Sequence, residues 1–169
     1  MFRTAKVATV ALTLIAATTL TTTSAQAAER PVTVPGCKTP TSKSSTPKTI
    51  KQPAASVKPT TKSLTLKTNC GDIVIQTFFK QAPVTITVLS TLINGGFYNK
   101  TLCHRLTTEG IFVLQCGDPT AKGTGGPDFR YGDENLPLAG YDNYPEGVVA
   151  MANSGQKKTN GSQFFLVYK

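Results

Sequence analysis

The sequence contains no tryptophan and only one histidine, His104, which limits the chemistry it can support. A catalytic Cys–His pair or a histidine-rich metal site needs side chains that converge on one point. Cys103 directly precedes His104, and neighbouring side chains on a strand point to opposite faces. We therefore predict no thiol nucleophile, metal or cofactor, and we expect His104 to be buried and hydrogen-bonded.

Long apolar runs are also lacking. The longest, Val7 to Leu20, has about 14 residues, whereas a membrane-spanning helix needs about 20. Arg3 and Lys6 precede it, and the small-residue stretch Ala25-Gln26-Ala27 follows it. This order predicts a signal peptide over residues 1–28 and a secreted or extracytoplasmic location, with a membrane anchor as the alternative.

Acidic residues are scarce in the first 62 residues, and the net charge of +9 comes mainly from residues 29–62. Residues 29–62 carry Arg30 and six lysines against Glu29, while residues 63–169 carry nine basic and eight acidic side chains. A nucleic-acid-binding domain would concentrate basic charge on the fold itself, so none is predicted. The basic segment can make weak contact with an anionic cell envelope.

Residues 29–62 are rich in Pro, Thr, Ser and Lys and have no aromatic residue. Such a composition buries too little apolar surface to offset the loss of chain entropy, which predicts a disordered linker. Within it, Val34 to Cys37 loosely resembles a lipid-attachment box, so a lipoprotein is an alternative.

The folded domain is predicted from Ser63 onward. Alternating apolar residues on both sides of the turn sequence 69–72 predict two strands, the second reaching about Phe79. Pro83 and the pair Gly95-Gly96 bracket apolar residues at helical spacing, which predicts a helix. Two further strands are predicted in "GVVAMAN" and "SQFFLVYK".

A central hairpin is predicted from residues 102–106 and 112–116, with a turn between them. If residues near 105 and 115 pair, Arg105 and Gln115 share one face beside Phe112 and Val113. An isolated strand arginine is usually a solvated charge, and the two phenylalanines Phe112 and Phe165 are usually core. The pattern alone therefore does not establish a site.

Four cysteines in an exported protein favour disulfides, with three complete pairings open. Cys37 lies in the linker, so one thiol can remain free. The simple hairpin register puts Cys103 and Cys116 on opposite faces, so no bond is assigned between them.

The segment "KGTGGP" (residues 122–127) is glycine-rich but lacks the Lys-Ser or Lys-Thr of a nucleotide-binding loop. It favours a loop that needs a positive φ or the close approach of a ligand backbone, and not a phosphate site.

Five segments occur in one order: "GFYNKTLCHR", "FVLQCGDPT", "GTGGP", "GVVAMANSG" and "TNGSQFF". Together they resemble the successive motifs of a cyclophilin-type peptidyl-prolyl cis-trans isomerase, over residues 63–169. The signal peptide and the in-domain cysteines look most like an exported actinobacterial branch. The resemblance implies a mainly β fold, a cyclophilin-like antiparallel β-barrel with a flanking helix.

The resemblance also implies a site. Catalytic roles fall on Arg105, Phe112 and Gln115. Substrate-binding roles fall on Val113, Gly123, Thr124, Gly125, Ala152, Asn153, Thr159, Asn160, Gln163 and Phe165. The expected partners are proline-containing polypeptides bound by a monomer.

A cyclophilin continues beyond the point that matches Lys169, with a loop bearing Trp and His, closing strands and a C-terminal helix. The resemblance therefore implies a barrel that is incomplete at the C-terminus. Two hypotheses follow: an isomerase that assists the folding of exported proteins, or a proline-peptide binding module or inactive fragment without useful turnover.

The signal-peptide interpretation predicts that residues 1 to 27 or 28 are removed, because the small residues there fit a cleavage site. N-terminal sequencing of exported material should start at residue 28 or 29. Exported protein that still begins at Met1 would contradict the prediction.

Overall fold

The computed structural model describes residues 34–54, 58–140 and 143–169. The predicted signal peptide and the start of the predicted linker lie outside the described residues. The first element is an antiparallel hairpin of β1 (Ser63–Thr68) and β2 (Gly71–Gln76), which form a two-stranded sheet. Gly71, with φ of +115°, supplies the turn, and β2 ends at Gln76, earlier than the predicted Phe79.

Helix α1 spans Pro83–Asn94 and confirms the helix predicted between the proline and the glycine pair. Ala82 precedes it and has no side chain that could cap the free N–H groups of the first turn. The Glu134 carboxylate does so instead, accepting hydrogen bonds from the backbone N–H groups of Val84 at 3.1 Å and Thr85 at 2.7 Å. A negative charge at this end also suits the helix dipole.

The second sheet is antiparallel and has the order β3-β4-β6-β5. Its strands are β3 (Arg105–Leu106), β4 (Val113–Cys116), β5 (Val149–Met151) and β6 (Phe164–Val167). The predicted mainly β, antiparallel fold with one helix is confirmed. Among the described residues the two sheets do not form a closed barrel.

The core lies between α1 and one face of the second sheet. Val88, Leu92, Phe97 and Tyr131 form its buried cluster. Met151 of β5 packs against this cluster, and burial of such side chains supplies most of the driving force for folding. On the opposite face Val113 and Val167, which pair across β4 and β6, are also buried.

A β-bulge at His104–Arg105 changes the hairpin from the simple register. Arg105 pairs with Gln115, yet the N–H of His104 also donates to the Gln115 carbonyl, at 3.0 Å. Two residues of one strand thus oppose one residue of the other, which shifts the register by one position.

This shift places Cys103 directly opposite Cys116, and the two form a disulfide with Cα atoms 4.0 Å apart. Leaving that bond unassigned was therefore wrong, because the simple register took no account of the extra residue. Cys37 and Cys70 form a second disulfide, so of the open alternatives the one with a free thiol does not apply.

Residues 34–54, here called the strap, have no helix or strand but lie along the domain. The Cys37–Cys70 bond ties the strap to the β1–β2 turn. Further along, the N–H of Ser45 donates to the Pro119 carbonyl at 2.8 Å, and Ile50 packs against the core cluster.

Gly95 provides the space for Ile50, since a Cβ at that position would lie 2.4 Å from the Ile50 Cδ1. In this part of the chain the prediction of a disordered linker is therefore corrected to an extended, attached segment. The composition of the segment did not predict this attachment, because a disulfide and a single isoleucine side chain hold the strap, and an average over residue types does not show such specific contacts. The domain boundaries after residues 28 and 62 remain predictions.

No helix within the described ranges has both the length and the apolar character needed to cross a membrane.

The Cys37–Cys70 bond should restrict the strap. Its 33-residue separation predicts that the double variant Cys37→Ser/Cys70→Ser loses about 2–4 kcal/mol of unfolding free energy. Trypsin should then cleave faster at Lys43, Lys48 and Lys51. Non-reducing limited proteolysis with mass spectrometry, beside a denaturation curve, checks this.

The matched control is Thr41→Ser/Thr49→Ser, which makes two small changes in the strap and leaves the bond intact. Equal cleavage rates in the wild type and the cysteine-free variant would show that the bond does not hold the strap.

Candidate active site

One row of side chains crosses the second sheet on a single face. Arg105 pairs with Gln115, Gln115 with Phe165, and Phe165 with Ala150, each directly across neighbouring strands. Directly paired residues lie on the same side of a sheet. The sheet thus sets an exposed guanidinium, an amide and an aromatic ring side by side.

A relay of hydrogen bonds fixes the polar end of this row. Gln115 Oε1 accepts from Arg105 Nη1 at 3.1 Å, and Gln115 Nε2 donates to Gln163 Oε1 at 2.9 Å. Gln163 Nε2 donates in turn to the carbonyls of Gly123 at 3.0 Å and Gly125 at 2.9 Å. The predicted pairing of Arg105 with Gln115 on one face is confirmed.

The glycine loop (residues 122–127) lies at the other end of the relay, and its backbone N–H groups donate to the Asp118 carboxylate. Its Oδ1 accepts from the N–H and the hydroxyl of Thr120, at 2.7 and 2.8 Å. Its Oδ2 accepts from the N–H groups of Lys122 at 3.1 Å, Gly123 at 2.7 Å and Gly125 at 3.0 Å. Asp118 itself is fully buried.

The glycines are needed for two different reasons. Gly123 has φ of +81°, a region that side chains other than glycine rarely adopt. A Cβ on Gly125 would lie 2.0 Å from the Asp118 Oδ1. The loop therefore has the positive φ and the close approach that the sequence predicted, although the approaching group is a carboxylate of the same chain and not a ligand.

The electrostatics of Asp118 follow from this environment. Burial raises the pKa of the carboxyl, but hydrogen bonds from Gly125, Thr120 and Gly123 lower it, and the net pKa lies below the ordinary 3.8. The ionised form is thus the one that the loop stabilises.

A cavity of about 320 Å³ opens between the glycine loop and the turn that precedes β6. Its walls are mostly amide and hydroxyl groups, which suits an extended peptide. The lining residues are Gln115, Gly123, Thr124, Gly125, Gly126, Arg130, Ala152, Asn153, Ser154, Thr159, Gly161, Ser162 and Gln163.

Most of the predicted substrate-binding residues line this cavity, as does Gln115. Five predicted residues do not line it: Arg105, Phe112, Val113, Asn160 and Phe165. Arg105 and Phe165 lie in the cross-sheet row. Val113 is only 2% exposed and packs inside. Asn160 is buried and donates to the Gly132 carbonyl at 3.1 Å and to Asp133 at 2.8 Å, so its amide serves the fold. Phe112 faces a separate hollow.

That second hollow has a volume of about 310 Å³ and is lined by Phe112, Tyr144 and Val167, among others. Phe112 makes an edge contact with Tyr168, with ring centroids 5.9 Å apart. Tyr144 makes a similar contact with Phe165 at 5.5 Å, which links the hollow to the cross-sheet row.

Sequence reasoning missed Asp118, Arg130 and Ser154. Arg130 and Ser154 carried no local signal, because only folding brings them to the cavity wall. Asp118 did carry one. It precedes Pro119 and a glycine-rich run, and Asp at such a position commonly accepts hydrogen bonds from the backbone just ahead of it.

His104 also differs from expectation. Both ring nitrogens are buried, yet neither has a hydrogen-bond partner within the described residues. The bulge turns the ring under the glycine loop, where its Nε2 would lie 3.8 Å from a Cβ on Gly123. The described ranges also hold no group of three or more His, Cys, Asp or Glu that could bind a metal.

Comparison with known proteins now adds to the geometry. The family model described as cyclophilin type peptidyl-prolyl cis-trans isomerase/CLD matches residues 63–169, well over half of the chain. This chain is a member of the cyclophilin family. The match begins at the first residue of β1 and includes every strand and the helix of the described residues.

Curated relatives agree with membership of the cyclophilin family. The probable peptidyl-prolyl cis-trans isomerase B of Mycobacterium leprae is 42% identical over 146 residues, which cover 78% of this chain and 49% of the relative. A peptidyl-prolyl cis-trans isomerase of Helicobacter pylori is 41% identical over 105 residues, covering 62% of this chain and 61% of that protein. This cyclophilin thus spans about half the length of the first of these relatives.

A solved cyclophilin-type isomerase of Cryptosporidium parvum is similar in structure, with a TM-score of 0.56 and 33% identity over 64% of this chain and 67% of that one. A second structure of that protein was determined in the presence of the dipeptide Ala-Pro, and has 34% identity and the same TM-score over 63% and 68% of the two chains. The cyclophilin fold of this chain therefore rests on both sequence and structure.

The lowered pKa of Asp118 in the folded cyclophilin predicts acid sensitivity. The ionised carboxylate stabilises the fold above its unfolded-state pKa, and this contribution is lost as the pH falls below about 4. The stability difference between the wild type and Asp118→Asn should therefore shrink between roughly pH 6 and pH 3, as measured by thermal unfolding.

Asp128→Asn is the control, since Asp128 is exposed and lies on the same stretch of chain. A wild-type advantage over Asp118→Asn that stays constant down to pH 3 would contradict the prediction.

Proposed function

We propose that this chain is a peptidyl-prolyl cis-trans isomerase, which accelerates rotation about X-Pro bonds in polypeptides. The observation that carries the proposal is the Arg105 guanidinium, held by Gln115 at 3.1 Å in a row that continues to Phe165 on the far side of Gln115. Membership of the cyclophilin family supports it.

The reaction needs neither a nucleophile nor a bond cleavage. Resonance gives the peptide bond a rotation barrier of about 18–20 kcal/mol, and uncatalysed X-Pro isomerisation takes tens to hundreds of seconds. A catalyst must bind the twisted amide better than the planar one. At the twist, the prolyl nitrogen becomes pyramidal and gains a lone pair that can accept a hydrogen bond.

Arg105 supplies the donor for that nitrogen or for the rotating carbonyl. Its guanidinium is charged at any relevant pH and holds several donors in a fixed plane. Gln115 occupies one donor and fixes the plane, so the remaining donors need no reorganisation when the amide twists.

The apolar part of the row provides a place for the proline ring. Phe165 and Tyr144 present two rings at a centroid distance of 5.5 Å, and Phe165 lies across from Gln115, one strand beyond it from Arg105. The amide-lined cavity lies at Gln163 and the glycine loop, and it can hold the peptide that precedes the proline. Substrate would thus lie across the row, with its X-Pro bond over Arg105.

We further propose proline-containing polypeptides as substrates, in line with the Ala-Pro dipeptide used with the Cryptosporidium parvum structure. The monomeric state, the extracytoplasmic location, the role in folding exported proteins and the actinobacterial-like branch are part of the same proposal. We expect the lysines of the strap to make weak contact with an anionic cell envelope, and we do not propose nucleic acid as a partner.

The test is a proline-peptide isomerisation assay on the chain and on the Arg105→Ala and Arg105→Lys variants. Losing one preorganised donor typically costs about 10²–10³ in kcat, and Lys should restore little because its ammonium is a point charge on a flexible stem. Arg105 is exposed, so both variants should unfold at the wild-type temperature.

Lys67→Ala is the control, because it removes an exposed positive charge from the other sheet. Wild-type turnover in a folded Arg105→Ala protein would contradict the assigned role of Arg105. Peptide binding without any turnover in the wild type would instead show a binding module.

A further inference from the structure

We infer that Asp118 is a positioning residue for the Arg105 guanidinium and acts through the glycine loop, Gln163 and Gln115. This inference rests on the proposed isomerase function. It concerns a buried residue that lines neither hollow.

The first step is the position of the two glycine peptides. The N–H groups of Gly123 and Gly125 both donate to the Asp118 Oδ2, at 2.7 and 3.0 Å. The carbonyls of the same two residues both accept from the Gln163 Nε2. The carboxylate therefore sets where these two carbonyls lie.

The second step is the direction of the relay. A carbonyl can only accept, so the two glycines force the NH₂ end of Gln163 toward the loop. The oxygen of Gln163 must then face Gln115, whose NH₂ donates to it at 2.9 Å. Gln115 is left with its oxygen toward the Arg105 guanidinium, which can only donate.

The third step concerns how Gln163 would respond if the Gly123 and Gly125 carbonyls moved out of reach. Without them Gln163 is free to rotate its amide by half a turn, and Gln115 can follow. The NH₂ of Gln115 would then face the guanidinium, two donors against each other, and Arg105 would lose its fixed plane. The carboxylate thus acts on Arg105 although two glycines and two glutamines lie between them.

Asp118→Asn removes the effect with almost no change in shape. The carboxylate oxygens accept five hydrogen bonds in all, from Thr120, Lys122, Gly123 and Gly125. In either orientation the new NH₂ group faces donors, so the loop has to shift. Asp128→Asn is the matched control, the same exchange at an exposed position.

The experiment is a double-mutant cycle that measures kcat and KM for a proline peptide in the wild type, Asp118→Asn, Gln163→Ala and the double variant. Asp118→Asn should lower kcat about ten-fold, the effect of one misplaced hydrogen bond in a transition state, with a smaller change in KM. In the Gln163→Ala background, where the relay is already cut, Asp118→Asn should lower kcat no further.

Two results would overturn the inference: a folded Asp118→Asn protein with wild-type kcat, or losses that multiply in the double variant. If Asp118→Asn does not fold, Thr120→Val provides the same test, since it removes the hydroxyl that donates to Asp118 at 2.8 Å, together with the longer hydrogen bond of 3.4 Å that this hydroxyl accepts from the Lys122 N–H. Its smaller loss of kcat should likewise vanish in the Gln163→Ala background, and a loss that persists there would overturn the inference.

A second readout separates this inference from the proposed function. Absence of turnover in the wild type would overturn the isomerase proposal but not the positioning. The side-chain N–H signals of Arg105 and Gln115 then report it by nuclear magnetic resonance. Asp118→Asn should shift them and speed their exchange with water, whereas Asp128→Asn should not, and unchanged signals would overturn the positioning.

Discussion

A buried carboxylate must be matched by hydrogen bonds, and in this protein that requirement shapes the whole polar side of the site. Asp118 has no exposed surface, so leaving its charge unpaired would be very unfavourable. The chain meets the requirement by folding the following residues around it, and glycine at 125 leaves the room that this needs. This folding also positions the Gly123 and Gly125 carbonyls, which accept from Gln163 and thereby set the direction of the hydrogen bonds in the relay. Stability and chemistry thus share one set of hydrogen bonds.

The bulge at His104–Arg105 is the second local feature with a distant effect. One extra residue on β3 brings Cys103 opposite Cys116 and keeps Arg105 opposite Gln115, so a disulfide fixes the strand just before the guanidinium. The same bulge turns His104 beneath the glycine loop, where its ring has no hydrogen-bond partner among the described residues. Bulges commonly re-aim a side chain next to a site, and this one aims an arginine.

The strap shows that composition is a weak guide where a few specific contacts act. Its Pro, Thr and Lys content could not form a core of its own, and indeed residues 34–54 have no regular secondary structure. A disulfide at one end and Ile50 at the other nevertheless hold it on the domain. Its contact with the Pro119 carbonyl lies next to Asp118, so the strap and the glycine loop are neighbours.

The sequence by itself determined what depends on local patterns: the helix between Pro83 and Gly95, the strands with alternating apolar residues, the pairing of Arg105 with Gln115, and the family through its ordered motifs. Only the tertiary structure decided what depends on segments far apart in the chain. It placed Glu134 at the start of α1, Gln163 against the glycine carbonyls, and Phe112 in a separate hollow. The disulfides also needed it, because a one-residue bulge reverses which face a side chain occupies, and no periodicity in the sequence marks where the extra residue falls.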